Sequence, residues 1–436
     1  MPRMVQIAAI VGLVFVLCSN LFGMTLAEAL DKAIQSNRAI AVVESRINEN
    51  DGRIDAARSA FLPTIDLSGT YTYVSRLSEI EIKLPLAVPM PEISTGTHNM
   101  VDTKLSGKYR LFDWGKRRKR VGQAILGKEL SEVVVLGTKQ GVAYQVVRVY
   151  ATAALVVEQR RLLEEYLAIS QKHLNDAQTK YDLGLVSQFD LLKSEMQLKV
   201  YQEQIAIADA ELKIALHRLS EVLGDTGSVI EVTEQLSGLA INEPNLDETR
   251  VGEQIRSKPE VVSNRKQQEI SNLTLGMERL RPTVSLFSSA GWKNSYMPDP
   301  DKLLFNYAGG VSLSYELFEG GYSKSRRAEE LAKQESLELE IERLTSESET
   351  AVRLYREEVS KISAKSKITS EKLILARKAM EIASVAYSTG VITNADYLDT
   401  ELEVQQIEME SLQDKYNLLM SQIELKRALS YWPEID

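Results

Sequence analysis

The sequence predicts a mainly α-helical fold with a β-barrel part, built from two long helical hairpins that each follow a pair of amphipathic strands. Three observations predict it. The chain repeats itself, a proline-free interval rich in helix formers fills most of each repeat, and just before each interval the apolar period changes from helical to two.

The repeat rests on two motifs. Leu111-Phe112-Asp113-Trp114-Gly115 returns as Leu317-Phe318-Glu319-Gly320-Gly321, and Tyr181-Asp182-Leu183-Gly184 returns as Tyr387-Ser388-Thr389-Gly390. Asp190 and Asp396, Leu192 and Leu398, and Glu195 and Glu401 keep the same displacement of 206 positions. The Leu-Phe-acid motif therefore precedes the Tyr-x-x-Gly motif by 70 residues in both halves.

No proline occurs between Pro91 and Pro244 or between Pro300 and Pro433, so each 70-residue interval reads as one long helix, 114–182 and 321–388. Val142, Ala143, Val146, Val147, Val149, Tyr150, Ala153 and Ala154 recur at three- and four-residue steps, a face wide enough for neighbours on two sides. At about 1.5 Å per residue such a helix spans on the order of 100 Å, which no compact domain needs. Beyond Gly184 and Gly390 the chain returns as helices over 188–223 and 394–430. Helical segments 38–60 and 259–281 are expected to stack end to end with these. Residues 224–246, with Gly224, Gly227, Gly238 and Pro244, read as an irregular equatorial linker between a first repeat, 25–223, and a second, 247–436.

Strand hairpins are expected over 64–113 and 283–319. In 101–111, Val101, Leu105, Tyr109 and Leu111 share one face, while Asp102, Lys104, Ser106, Lys108 and Arg110 share the other. Ile65, Leu67, Tyr71 and Tyr73 alternate likewise, as do Phe305, Tyr307, Val311, Leu313 and Tyr315; Val284, Leu286, Ala290 and Trp292 mark a weaker fourth strand. A Pro-rich loop, 84–98, links the first two strands and 293–304 the others. A soluble sandwich gives the same alternation. Strands of about 9 to 11 residues with aromatic ends, on an exported chain, fit a membrane barrel better. Four strands do not close alone: two chains would give a narrow filled barrel and three an open one of 12 strands.

The leader is expected at 1–24. An apolar run of 12 residues, Ile7 to Cys18, is long enough for a secretory signal and too short to span a bilayer, and no later stretch is long enough. Cys18 is the only cysteine, so a chain cleaved beyond it has neither disulfide nor thiol chemistry. A net charge of -9 gives no reason to expect nucleic acid. His98, His173 and His217 never fall four apart on one helix, and neither a phosphate loop nor Gly-x-Ser-x-Gly occurs, so no enzyme, metal or cofactor is expected; the histidines read as surface or satisfied polar groups. Lys116-Arg117-Arg118-Lys119-Arg120 reads as a solvated face, or as a cationic patch at the inner leaflet.

At these motifs the chain resembles the TolC family of outer-membrane efflux proteins. Leu26-Ala27-Glu28-Ala29-Leu30 with Asn37, Phe61-Leu62-Pro63 before the first strand, the doubled Leu-Phe-acid-x-Gly, and Tyr181-x-x-Gly184 with Asp190, Leu192 and Glu195 carry the resemblance. It implies a homotrimer with a 12-stranded transmembrane β-barrel in outer-membrane lipid and a periplasmic α-barrel. Its tip would dock on a periplasmic adaptor protein and an inner-membrane transporter of RND, ABC or MFS type. The chain would serve as the duct of a tripartite efflux pump or type I secretion system. By the same resemblance Gly184, Leu185, Val186 and Ser187 with Gly390, Val391, Ile392 and Thr393 match the adaptor-contact turns. Tyr387 and Asp190 match a closing pair, while Ile392 stands where the family's latch has arginine. Asp396 and Asp399, three apart on one helical face, match carboxylates that ring the constriction. The glycines read equally as helix C-caps and Asp396 as a first-turn acid. A periplasmic adaptor would also carry a helical hairpin, but a single one flanked by compact β-domains.

Overall fold

The computed structural model describes residues 23–80, 93–225, 230–239 and 248–430. The expected leader as far as residue 22 lies outside them, with Cys18, as do residues 84–92 of the Pro-rich loop and 226–229 and 240–246 of the expected linker.

In chain order the elements are β1 (Gly23–Met24), α1 (Leu26–Ser36), α2 (Arg38–Ser59), β2 (Thr64–Tyr73), β3 (Ser78–Ile80), β4 (Ile93–Thr95), β5 (Asn99–Phe112), α3 (Lys116–Asp182) and α4 (Gln188–Leu223). There follow β6 (Glu231–Val232), a 3₁₀ turn (Leu236–Gly238), α5 (Glu248–Arg256), α6 (Pro259–Leu275), β7 (Thr283–Lys293), β8 (Leu304–Ser314), α7 (Tyr322–Ser388) and α8 (Asn394–Ala428). The long helices α3 and α7 have 67 residues each. Helix α6 stops at Leu275, short of the 281 expected, and the chain turns at Gly276-Met277, whose amides donate to the carbonyls of Asn272 and Thr274.

The chain divides into two compact units. One comprises Arg46–Leu130 and Arg265–Leu339. It is centred on an antiparallel sheet of order β2-β5-β7-β8. The register decides what the alternation means. Leu67 pairs with Leu105, which pairs with Ala290, which pairs with Tyr307; Tyr109 pairs with Leu286, which pairs with Val311; Thr103 pairs with Trp292, which pairs with Phe305. Directly paired residues share a face, so the apolar sets of all four strands fall on one side. Asp66, Ser106, Ser289 and Ala308 share the other, with Lys108, Lys104 and Asn306 beside them. Most of the apolar set is solvent-facing in this chain: Leu67, Tyr307 and Leu313 are 77%, 82% and 70% exposed.

At the foot of β5 a bulge between Arg110 and Phe112 makes Phe112, not Leu111, the partner of Val284. The acid of each Leu-Phe-acid motif then caps a long helix. Asp113 accepts from the amides of Gly115 and Arg117, and Glu319 accepts from the amide of Ser323. Arg117, expected to be solvated, is buried in an ion pair with Asp113 at 3.0 Å, its guanidinium 4.8 Å above the Phe61 ring; Lys119 donates to the Gly276 carbonyl at 2.6 Å. Two of the five consecutive cations are thus structural. Both junctions pass through left-handed backbone, at Trp114 and Gly115 in one repeat and at Gly320 and Gly321 in the other. Glycine adopts it freely, whereas an L side chain such as tryptophan incurs roughly 1–2 kcal/mol.

The other unit comprises the described parts of Met1–Ser45, Ser131–Asn264 and Glu340–Asp436. Leu26, Ala29, Leu30 and Ala33 of α1 pack on Val142, Val146, Val147 and Tyr150 of α3 and on Leu219 and Leu223 of α4. The wide face of α3 therefore has neighbours on more than one side, the small Ala143, Ala151 and Ala154 letting helices approach. The expected linker is not merely irregular. Ile230, Leu236 and Leu239 enter this core, and β6 pairs in parallel with β1. The end of α4 meets the start of α2 through Ser36 and Asn37, whose side chains donate to the carbonyls of Leu223 and Val222 at 2.7 Å. No described helix is long and apolar enough to cross a membrane.

Candidate functional site

Two turns close the hairpins. Gly184 (φ 71°) and Gly390 (φ 77°) take the left-handed conformation, and the amides that follow reach back five residues, Leu185 to the Lys180 carbonyl and Val391 to the Ala386 carbonyl, both at 2.8 Å. Capping boxes open both return helices. Ser187 and Asp190 bond reciprocally, as do Thr393 and Asp396. Hydrogen bonds from the Thr393 hydroxyl and amide hold the Asp396 carboxyl below the usual carboxylate range. Between the caps the chain presents apolar side chains: Leu185 is 70% and Val391 77% exposed. Val186 and Ile392 are half-buried, while Ser187 and Thr393 are exposed.

The expected closing pair, Tyr387 and Asp190, lines one cleft of about 850 Å³ with both turns. Its members are not bonded to each other. The Asp190 carboxylate accepts from the amide and hydroxyl of Ser187, and the buried Tyr387 hydroxyl has no partner among the described residues. Burial, aided by Asp190, raises the Tyr387 hydroxyl pKa. Lys180 Nζ sits 3.7 Å from the Tyr387 ring centroid and donates to the Tyr387 carbonyl at 2.6 Å, tying the end of α3 to the end of α7.

A buried knot that sequence reasoning passed over lies beneath. His173 stacks on Tyr397 at 4.1 Å, with the rings 8° apart, and lies 4.8 Å from Tyr387. A ring nitrogen is 2.7 Å from Asn394 Oδ1, while Asn394 Nδ2 donates to the Asp190 carbonyl at 2.9 Å. One histidine thus joins α3, α4 and α8, and burial lowers its pKa. One turn further along α8 stands Glu401, wholly buried, both carboxylate oxygens unpartnered among the described residues. Burial pushes its carboxyl up to about 7; the Tyr201 hydroxyl, close by but outside hydrogen-bonding geometry, offsets only part of this. A buried polar residue at a helical step leaves no motif, so only the unusual His173 could have signalled the knot. Asp396 and Asp399 are both exposed on the first turns of α8.

The chain thus consists of two long helical hairpins joined to an amphipathic sheet, each hairpin closed by a capped, apolar turn. The profile of the outer membrane efflux protein family matches residues 29–225 and 267–430, and the chain belongs to that family, the TolC family. It is similar to outer membrane protein TolC of Vibrio cholerae serotype O1, 18% identical over 430 residues covering 96% of this chain and 94% of that one. It also matches fusaric acid resistance protein FusA of Burkholderia cepacia, 24% identical over 285 residues, 63% of this chain and 52% of that one. Among solved structures, CusC superposes with a TM-score of 0.78 at 15% identity over 93% of this chain and 91% of that. The CmeC outer membrane channel of Campylobacter jejuni does so with 0.75 at 16% identity over 94% and 87%. The protein is an outer-membrane protein, and the solved structures of CusC and CmeC that it resembles are of channels.

Proposed function

We propose that this chain is one protomer of a homotrimeric duct through the outer membrane. The four-stranded sheet carries the reading. Its apolar side chains share one face, and its edge strands β2 and β8 each pair on one side only, with no second strand partner among the described residues. Lipid leaves no unpaired backbone edge, so such a sheet closes with copies of itself. Three copies supply 12 strands and an open lumen lined by the polar face; two would supply only eight, which side chains fill. The hairpins make the same demand, since Ile207, Ile214, Leu354, Ile368 and Ile382 are solvent-facing in one chain and would be covered in a periplasmic α-barrel.

The turns at 184–187 and 390–393 dock a periplasmic adaptor, which connects the duct to an inner-membrane transporter of RND, ABC or MFS type in an efflux pump or type I secretion system. Exposed Leu185 and Val391 on rigidly capped turns support this. Asp396 and Asp399 face the lumen as two rings of carboxylates, with Asp190 and Tyr387 beside the aperture. Crosslinking the detergent-purified protein tests the assembly: products stop at three, and a limit of one or two ends the reading. Planar-bilayer recording tests the rings: the D396A/D399A variant loses cation preference and block by trivalent cations, and unchanged values remove these residues from the constriction.

A further inference from the structure

The two strand-to-helix junctions have the same backbone but not the same residue. Where the second repeat has Gly320 at φ 62°, the first has Trp114 at φ 56°, a bulky residue held in left-handed backbone. Crowding does not dictate glycine at 320, since a Cβ there would meet nothing within 4 Å. The strain at Trp114 therefore supports a side chain with work to do.

Where that side chain lies says what the work is. Phe112, carried by the bulge into register with Val284, belongs to the apolar face of the sheet, and Trp114 packs edge-on against Phe112 at 4.9 Å. The indole N–H donates to the Pro282 carbonyl at 2.9 Å, yet the side chain remains 45% exposed. Above its ring, at 5.1 Å, stands the Arg281 guanidinium. Arg281 has no hydrogen bond or ion pair among the described residues. An amphipathic ring ending an apolar wall, capped by an unpaired guanidinium, matches the boundary where acyl chains give way to phosphates.

We propose that Trp114 and Arg281 form a binding site for the phosphate of an anionic phospholipid. The indole packs beside the glycerol and first methylenes, and the guanidinium donates to the phosphate oxygens. This rests on the sheet being embedded in lipid. Left-handed backbone at 114 directs the indole along the sheet's apolar side, a position the glycines of the second repeat leave empty.

The test uses the full-length protein in non-ionic detergent, offered equal amounts of phosphatidylglycerol and phosphatidylcholine, with bound lipid read by native mass spectrometry. The wild type retains phosphatidylglycerol preferentially. R281Q lowers that preference about fivefold, the equivalent of about 1 kcal/mol per interfacial cation, W114G lowers retention of both lipids, and K302Q, in the loop at the other end of β7, changes neither. An undiminished preference in R281Q overturns the site. Insertion is read separately by flotation with phosphatidylcholine vesicles. Wild type that floats without preferring phosphatidylglycerol overturns this inference alone, whereas failure to float also overturns the membrane-embedded sheet.

Discussion

At the tip, Tyr181 of the first repeat faces solvent, whereas Tyr387, 206 positions on, lies buried among His173, Lys180 and Tyr397. The same holds a few residues further along the return helices: Glu195 is exposed and Glu401 wholly buried. Backbone features agree between the repeats, with matched left-handed turns, matched capping boxes and matched acidic caps on the long helices. Duplication has kept what is fixed locally and let tertiary packing reassign what each side chain meets. The second repeat has both its tyrosine and its glutamate inside, the tyrosine against a histidine that only the first repeat supplies, Ala379 standing at the matching position.

The largest test of this asymmetry truncates the tyrosines. Tyr387→Ala removes a buried ring and lowers stability by about 3–5 kcal/mol, while Tyr181→Ala stays within about 0.5 kcal/mol. Thermal unfolding in detergent compares the two, and equal losses would mean that the repeats are packed alike.

The glutamates give a test in pH. Glu401 has a folded pKa of about 7 against an ordinary 4.5, so its proton is held more tightly in the folded state. Its contribution to stability is complete below about pH 4.5 and disappears as pH rises through 7. The charged and titratable neighbours are Tyr166, Tyr201 and Tyr397, all with hydroxyl pKa values raised by burial, so none neutralises an ionised carboxylate. Glu401→Gln is therefore more stable than the wild type by about 3 kcal/mol at pH 8 and no different at pH 4. Glu195→Gln, at an exposed side chain, changes stability by no more than about 0.5 kcal/mol.

Two smaller effects probe where the repeats agree. Gly184→Val and Gly390→Val each force a branched residue into left-handed backbone, with nothing within 4 Å to clash, and cost about 1–2 kcal/mol. Drug-susceptibility assays on cells carrying either variant show lost efflux with protein still in the outer membrane; unimpaired efflux removes the turns from docking. Asp396→Asn weakens a capping bond, so the unfolding midpoint falls slightly and the stabilisation that wild type loses as pH drops through the carboxylate range is absent. Asp399→Asn, outside the cap, leaves the midpoint where it was.

Much of the plan was legible because it is local. Proline-free intervals, a change of period from 3.6 to two, and glycine after each long helix are one-dimensional signals of backbone conformation. Leu-Phe-acid was visible as a motif, although its role as a helix cap was not. Within residues 224–246, glycines and a proline obscure Ile230, Leu236 and Leu239, whose burial depends on α1 and α3. Arg117 misled because a run of like charges hides the one that finds a buried partner.

By itself the sequence determined the duplication, the helical and strand periods, the turns and the apolar face of each strand, since these follow from the order of residue types along the chain. Only the tertiary structure decided that four apolar strand faces coincide, through a register no single strand contains. It also decided which copy of each repeated residue is buried, because burial depends on neighbours more than 200 positions away: His173 meets Asn394, and Tyr166 meets Glu408.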